Sequence, residues 1–290
     1  MPLTADEVVA LEARAAGLRC DMIDTTVWSG GAHIGGSLSA ADLMTALYFR
    51  YMKVKPDEPA WENRDRFVLS KGHAGLGLAC VLAERGYFPK ELLKEFNHFR
   101  SPFGMHLDGN KVPGVDASTG SLGHGLSIAF GMALGARFQG RGWLTYCLLG
   151  DGECNEGSVW EAAMAAAHYH ATNLITMVDR NRLMIDGPTE EVLGLEPFAA
   201  KWTAFGFQVR EIDGHDYRQI AQVIEAAIEN AADSKGQPMV IIAHTIKGKG
   251  VDYMENQVKW HYGSVDSELA DRAKASIRAA SPAGAARGGV

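Results

Sequence analysis

The chain has 290 residues, 47% hydrophobic and 22% charged, enough apolar material for a large core in one or two domains. Its formal net charge is −7 with no run of Lys or Arg, which argues against nucleic acid and anionic membrane as partners. No apolar stretch reaches the ~18 residues of a membrane span, and the N-terminus lacks the pattern of a signal peptide, so the expected location is cytoplasmic.

Thr4-Ala5-Asp6-Glu7 reads as a capping box: the hydroxyl takes a backbone N–H and the carboxylate reaches back. Val8, Leu11, Ala15, Leu18, Met22 and Ile23 follow at helical spacing. A second helix is expected over residues 39–52, opened by Ser39 with Asp42 three residues on. Residues 66–69 form a short strand and 74–85 a helix. Residues 101–118, with Pro102, Gly104, Gly109, Pro113 and Gly114, read as a loop. Then come helix 122–138, strand 143–149, helix 157–170, strand 174–178, helix 197–205, strand 207–212, helix 217–231 and strand 238–246. Strands alternating with helices define an α/β fold, a parallel β-sheet flanked by helices on both faces. Cys20, Cys80, Cys147 and Cys154 form no Cys-x-x-Cys pair and read as reduced thiols.

The strand–helix–strand unit over 143–178 ends each strand in a polar group: Gly150-Asp151-Gly152 after the first and Asn181 after the second. Open parallel sheets place ligands at such carboxyl ends. Asp151 and Asn181 are hard oxygen donors suited to Mg²⁺ or Ca²⁺, and the Leu183 carbonyl is a third candidate. The glycines let a ligand approach the backbone. The same residues read alternatively as a tight turn, a capping Asp and a loop Asn. His33, His73, His106, His124 and His261, five of the ten histidines, sit in short Gly-rich segments and suggest a concave site that binds phosphate or moves protons. His98, His168, His170, His215 and His244 lack that context and read as structural. Residues 118–125 open a helix whose free N–H groups favour an anion, although a plain helix start explains them equally well. Glu156 and Glu161 flank a helix start, where acids are favoured; the sharper reading is buried carboxylates sharing protons at an interface.

Taken in order, His33-Ile34-Gly35-Gly36-Ser37, Ser70-Lys71-Gly72-His73, residues 113–123, Gly150-Asp151-Gly152 and Lys247-Gly248-Lys249-Gly250 resemble the N-terminal, diphosphate-binding part of transketolase. The resemblance runs from about Glu12 to Gly263. It implies thiamine diphosphate as cofactor, with Mg²⁺, or Ca²⁺ or Mn²⁺ in its place, held by Asp151, Asn181 and the Leu183 carbonyl. His73 and His261 would lie beside the diphosphate. Gly120 and Leu122 would lie near the aminopyrimidine and diphosphate, and Ile185 on the thiamine. Gly150, Gly152 and Glu156 complete the implied cofactor residues, Glu156 and Glu161 resembling the family's acidic cluster between two active sites. His33, His106 and His261 are the implied catalytic residues, with His33 and His106 facing the sugar. The implied reaction moves a two-carbon unit from a ketose to an aldose, both sugar phosphates, with cofactor chemistry at its centre.

Two departures refine the expectation. His33-Ile34-Gly35 stands where full-length members often have His-Pro-Gly, a form resembling the split, two-subunit type. The chain also ends where full-length members continue into a pyrimidine-binding domain. The expectation is therefore residues 1–278 as one thiamine-diphosphate/Mg-binding domain, residues 279–290 as a disordered tail, and half an active site completed by a C-terminal transketolase subunit, in an α₂β₂ assembly. The alternatives are a deoxyxylulose-phosphate synthase-like or 2-oxoacid decarboxylating enzyme, and a cofactor-binding module without activity.

Overall fold

The computed structural model describes residues 3–281. Its strands are β1 (Arg66–Leu69), β2 (Thr145–Gly150), β3 (Leu174–Arg180), β4 (Gln208–Asp213) and β5 (Met239–His244). All pair in parallel, in the order β1-β2-β3-β5-β4. The helices are α1 (Ala5–Trp28), α2 (Ile34–Ser39), α3 (Ala41–Ala46), α4 (Gly75–Arg85), α5 (Gly125–Phe138), α6 (Gly157–His168), α7 (Thr189–Val192), α8 (Phe198–Ala204), α9 (Tyr217–Asn230) and α10 (Ser267–Ala280).

The central strands β2 and β3 are buried along their whole length. Tyr146, Leu148, Ile175 and Met177 pack with α1–α4, α9 and α10 on one face. Cys147, Leu149, Leu174 and Val178 pack with α5, α6 and α8 on the other. That alternation is the two-residue period of a strand, and each large aliphatic side chain so buried contributes about 1.5–3 kcal/mol. The expected α/β layering is therefore present. The capping box also forms, with Glu7 N donating to Thr4 Oγ1 at 3.2 Å and Thr4 N to Glu7 Oε2 at 2.9 Å.

Besides the single turn α7, which the sequence reading also left unassigned, two longer elements differ from the sequence expectation. The helix expected over 39–52 starts earlier, as α2, then breaks at Ala40 into α3 and a π turn, Leu47–Tyr51. Ser39 caps nothing; its hydroxyl donates to Asp179 Oδ2 at 2.6 Å. Of the two glycines that make α2 a poor helix by propensity, Gly35 is required by packing, since a Cβ there would stand 2.6 Å from the Trp260 carbonyl oxygen. The second difference is α10, which the sequence reading left unassigned. Its buried stripe is Ala270, Ala273 and Ile277, too weakly apolar to register as periodicity, and it packs along α1. It carries Ala279 and Ala280 of the expected tail in helix; residues 282–290 lie outside the described residues.

Candidate active site

Parallel strands bring their carboxyl ends to one edge of the sheet, so the segments that follow them meet. Residues 70–73 follow β1, 151–152 follow β2, 181–183 follow β3 and 245–247 follow β5. They surround a cleft of about 290 Å³ lined by His33, Gly36, Lys71, His73, Gly120, Leu122, Gly150, Asp151, Gly152, Glu153, Asn181, Leu183, Met184, Ile185, Lys247 and His261.

One group of wall atoms is hard oxygen. Asp151 is 2% exposed; its Oδ1 accepts the Gly152 N–H at 2.8 Å, and its Oδ2 accepts the Arg182 N–H at 2.6 Å and Arg180 Nη1 at 3.3 Å. Burial and the nearby Asp179 charge push its carboxyl up. Asn181 Nδ2 donates to Asp179 Oδ2 at 3.2 Å, which sets the carboxamide; reversed, it would put oxygen against carboxylate. Its Oδ1 accepts the Leu183 N–H at 3.2 Å. Among the described residues no group of three or more His, Cys, Asp or Glu is placed to hold a metal. A hard cation at Asp151, Asn181 and the Leu183 carbonyl would therefore draw further oxygens from a bound anion and water.

The other group is cationic. Lys71, 1% exposed, donates to the Gly36 carbonyl at 2.8 Å and pairs with the buried Asp179. Burial pushes the Asp179 carboxyl up, but the Lys71 ammonium and the Ser39 and Thr245 hydroxyls outweigh it, and the net displacement is downward. Lys247 Nζ lies 2.8 Å from the Leu183 carbonyl oxygen and 2.8 Å from His261 Nδ1. Burial and the Lys71 charge lower its ammonium to about 8. His33, His73 and His261 cluster, with ring centroids 5.3–5.4 Å apart. Burial first, then the neighbouring positive charges, lowers His33 to about 4, His73 to about 2 and His261 to about 3. These imidazoles are neutral at pH 7 while the cleft is without an anion. Gly36 is part of this wall, and a Cβ there would lie in ordinary contact with Lys71 Nζ at 3.5 Å and His73 Nε2 at 3.8 Å.

The structure brings together His33, His73, His261, Gly120, Leu122, Gly150, Asp151, Gly152, Asn181, Leu183 and Ile185. His106 stands at the mouth, exposed, its ring 6.2 Å from His33 and packed against Gly120. His124 is not with them; it is exposed at the start of α5. Glu156 and Glu161 are exposed on the surface of this single chain, and Glu156 stands at the N-cap of α6, without a side-chain capping bond, outside the cleft wall. The N–H of Gly123, which the sequence reading offered to an external anion, is taken by Glu153 Oε1 at 2.9 Å. Four of the five histidines read as structural bond within the fold: His98 to the Trp28 carbonyl, His170 to the Gly236 carbonyl, His215 to Asp42 and His244 to Glu211, while His168 packs edge-on against the Tyr169 ring. Sequence reasoning assigned no role to Lys71, Glu153, Asp179 or Lys247. Asp179 carried a signal, since it stands in the strand two residues before Asn181, on the same side of the pleat.

The fold and the cleft define an anion-binding α/β domain with oxygen donors for a hard cation. Residues 12–279 match the family described as "Transketolase, thiamine diphosphate binding domain", and the chain belongs to that family. It is similar to an apulose-4-phosphate transketolase subunit of Phocaeicola vulgatus, 41% identical over 267 residues that cover 92% of this chain and 93% of that protein. It is also similar to the 6-deoxy-6-sulfo-D-fructose transketolase subunit SqwG of a Clostridium species, 43% identical over 248 residues covering 86% and 89%. The solved transketolase of Campylobacter jejuni superposes with a TM-score of 0.85 at 31% identity, covering 92% of this chain and 42% of that one. The chain thus spans nearly the whole of the two subunits but less than half of the solved transketolase.

Proposed function

We propose that this chain is the cofactor-binding half of a two-chain transketolase, which moves a two-carbon ketol unit from a ketose to an aldose when a second subunit supplies the pyrimidine-binding half. The observation that carries the reading is the pairing within one cleft of the oxygens of Asp151, Asn181 and Leu183 with the cations Lys71 and Lys247 and the imidazoles of His73 and His261. A metal–diphosphate needs both: oxygens for the cation and donors for the phosphate. Asp151, Asn181 and the Leu183 carbonyl would hold Mg²⁺, and Lys247, His73 and His261 would face the diphosphate. Thiamine diphosphate supplies the carbon–carbon bond chemistry when bound.

The chain's own residues bind, orient and move protons. Gly120, Leu122 and Ile185 form the apolar part of the wall that meets the cofactor's rings. His33, neutral at pH 7 and beside His106 at the mouth, is set to exchange a proton with a sugar hydroxyl as it enters. Both named relatives act on ketoses whose names carry an anionic group, a phosphate in one and a sulfonate in the other, and the donor here is proposed to be of that class. Residues 1–278 are taken as the functional domain, and the assembly as α₂β₂, in keeping with relatives that are themselves named subunits.

Reconstitution tests the reading. Ketol transfer between a ketose phosphate or sulfonate and an aldose phosphate is expected with both chains, thiamine diphosphate and Mg²⁺, and at most a trace with this chain alone. No transfer from any such donor by the assembled pair would refute it.

A further inference from the structure

Glu153 lies two residues beyond Asp151 and is 2% exposed. Its Oε1 accepts the Gly123 N–H at 2.9 Å and the Ser70 hydroxyl; its Oε2 accepts the Gly150 N–H at 3.0 Å. The partners belong to three different segments of the cleft. Ser70 directly precedes Lys71, Gly123 ends the segment carrying Gly120 and Leu122, and Gly150 directly precedes Asp151. The segment with Gly120 and Leu122 is neither strand nor helix, so side-chain links decide where it sits. It also has little room to shift: a Cβ on Gly125 would fall 2.5 Å from Ser70 Cα, and one on Gly123 2.6 Å from Glu156 Cβ. A buried carboxylate accepting backbone N–H groups is a strong, directional tie. Because a backbone N–H aims at each of the two oxygens, both must accept. An amide in that place would turn an NH₂ group toward an N–H.

We propose that Glu153 is a positioning residue of the cofactor site, an internal anion that fixes the Gly120–Leu122 wall and the Lys71 segment against the Asp151 turn. The inference rests on the reading of the cleft as a thiamine diphosphate site.

The test is Glu153→Gln in the two-chain enzyme, which keeps the volume and removes one acceptor. The calorimetric Kd for thiamine diphosphate at saturating Mg²⁺ is expected to rise about 10- to 100-fold, the usual cost of losing an outer tie on a metal site. The KM for the cofactor rises with it, while kcat at saturating cofactor stays near the parent's. Ser70→Ala, which deletes one donor and leaves the carboxylate, is expected to weaken binding a few-fold. A folded Glu153→Gln enzyme with parental Kd overturns the proposal, as does a lowered melting temperature with unchanged Kd. If Glu153→Gln does not fold, parental affinity in Ser70→Ala overturns it. Asp151→Ala separates the two levels. Binding retained there removes the cofactor reading itself; binding lost there and kept in Glu153→Gln removes only the role of Glu153.

Discussion

Two buried networks in this protein are each built on an aspartate beside a cation, and they differ in what they leave unsatisfied. Beyond the carboxyl end of β4, Asp42 accepts Arg19 Nη1 at 3.2 Å and Nη2 at 2.6 Å, His215 Nδ1 at 2.6 Å and the Tyr217 hydroxyl at 3.3 Å. His215 Nε2 in turn accepts the Ile246 N–H at 2.9 Å. That network borders a smaller cavity of about 170 Å³, but Asp42 and both His215 nitrogens are engaged within the protein. In the cleft, Asp179 is equally well satisfied, by Lys71, Ser39, Asn181 and Thr245. Around it, however, three imidazoles are held neutral and Lys247 is depressed, while His33 Nδ1 is buried without a hydrogen-bond partner. Burial and charge are common to both regions. What distinguishes the cleft is unmet donor capacity, which an anion with its cation would satisfy.

The sharpest way to break this contrast is a pair of substitutions. Asp151→Ala should reduce Mg²⁺-dependent binding of thiamine diphosphate by about 100-fold or more in calorimetry, with the fold intact. Asp42→Asn should do the reverse, costing about 3–5 kcal/mol in denaturant unfolding because Arg19 is left buried without its counter-charge. The folded fraction should keep parental cofactor affinity. If Asp42→Asn weakens binding as strongly as Asp151→Ala, the two networks are one.

The two regions should also part company with pH. The folded-state values of His33, His73 and His261 lie below the unfolded ~6.5, so below that pH the unfolded chain binds more protons and stability falls. The loss begins near pH 6.5 and continues to about 4 for His33, about 3 for His261 and about 2 for His73. Arg19 and His215 hold Asp42 well below the usual carboxylate range against its burial. Its contribution is therefore present above ~4 and is lost only as pH falls further. Melting curves of the cofactor-free chain should fall between pH 6.5 and 5, and His73→Gln should flatten that fall. An unchanged slope in His73→Gln would show that the cleft histidine is not the source. The smallest effect expected is that of Tyr217→Phe, which removes one of the donors to Asp42 and should cost about 1 kcal/mol in denaturant unfolding, without changing cofactor affinity.

Much of the contrast was legible along the chain. Asp151 and Asn181 announce themselves because each follows an apolar strand, and a strand's carboxyl end is a fixed address in a parallel sheet. The Gly-flanked histidines announce a concavity, and His33, His73, His106 and His261 do meet there. His124, in the same local context, does not, because its direction depends on how the segment enters α5. Glu153 was hidden for the opposite reason. One carboxylate in a Gly-Asp-Gly-Glu run looks like any helix-start acid until the Gly123 and Gly150 N–H groups are seen to converge on it. Lys71 and Lys247 lie 176 positions apart and belong to one wall only once β1 and β5 take their places in the sheet.

The sequence by itself determined the class of fold, the oxygen donors at the strand ends and the resemblance to transketolase, because strand periodicity, the residues that follow each strand and ordered motifs are local properties of the chain. Tertiary structure alone decided which cations share the cleft with those oxygens, which imidazoles are kept neutral, and that Glu153 ties three segments together. Those outcomes depend on desolvation and on backbone groups brought into contact across the sheet, and neither is written in the spacing of residues.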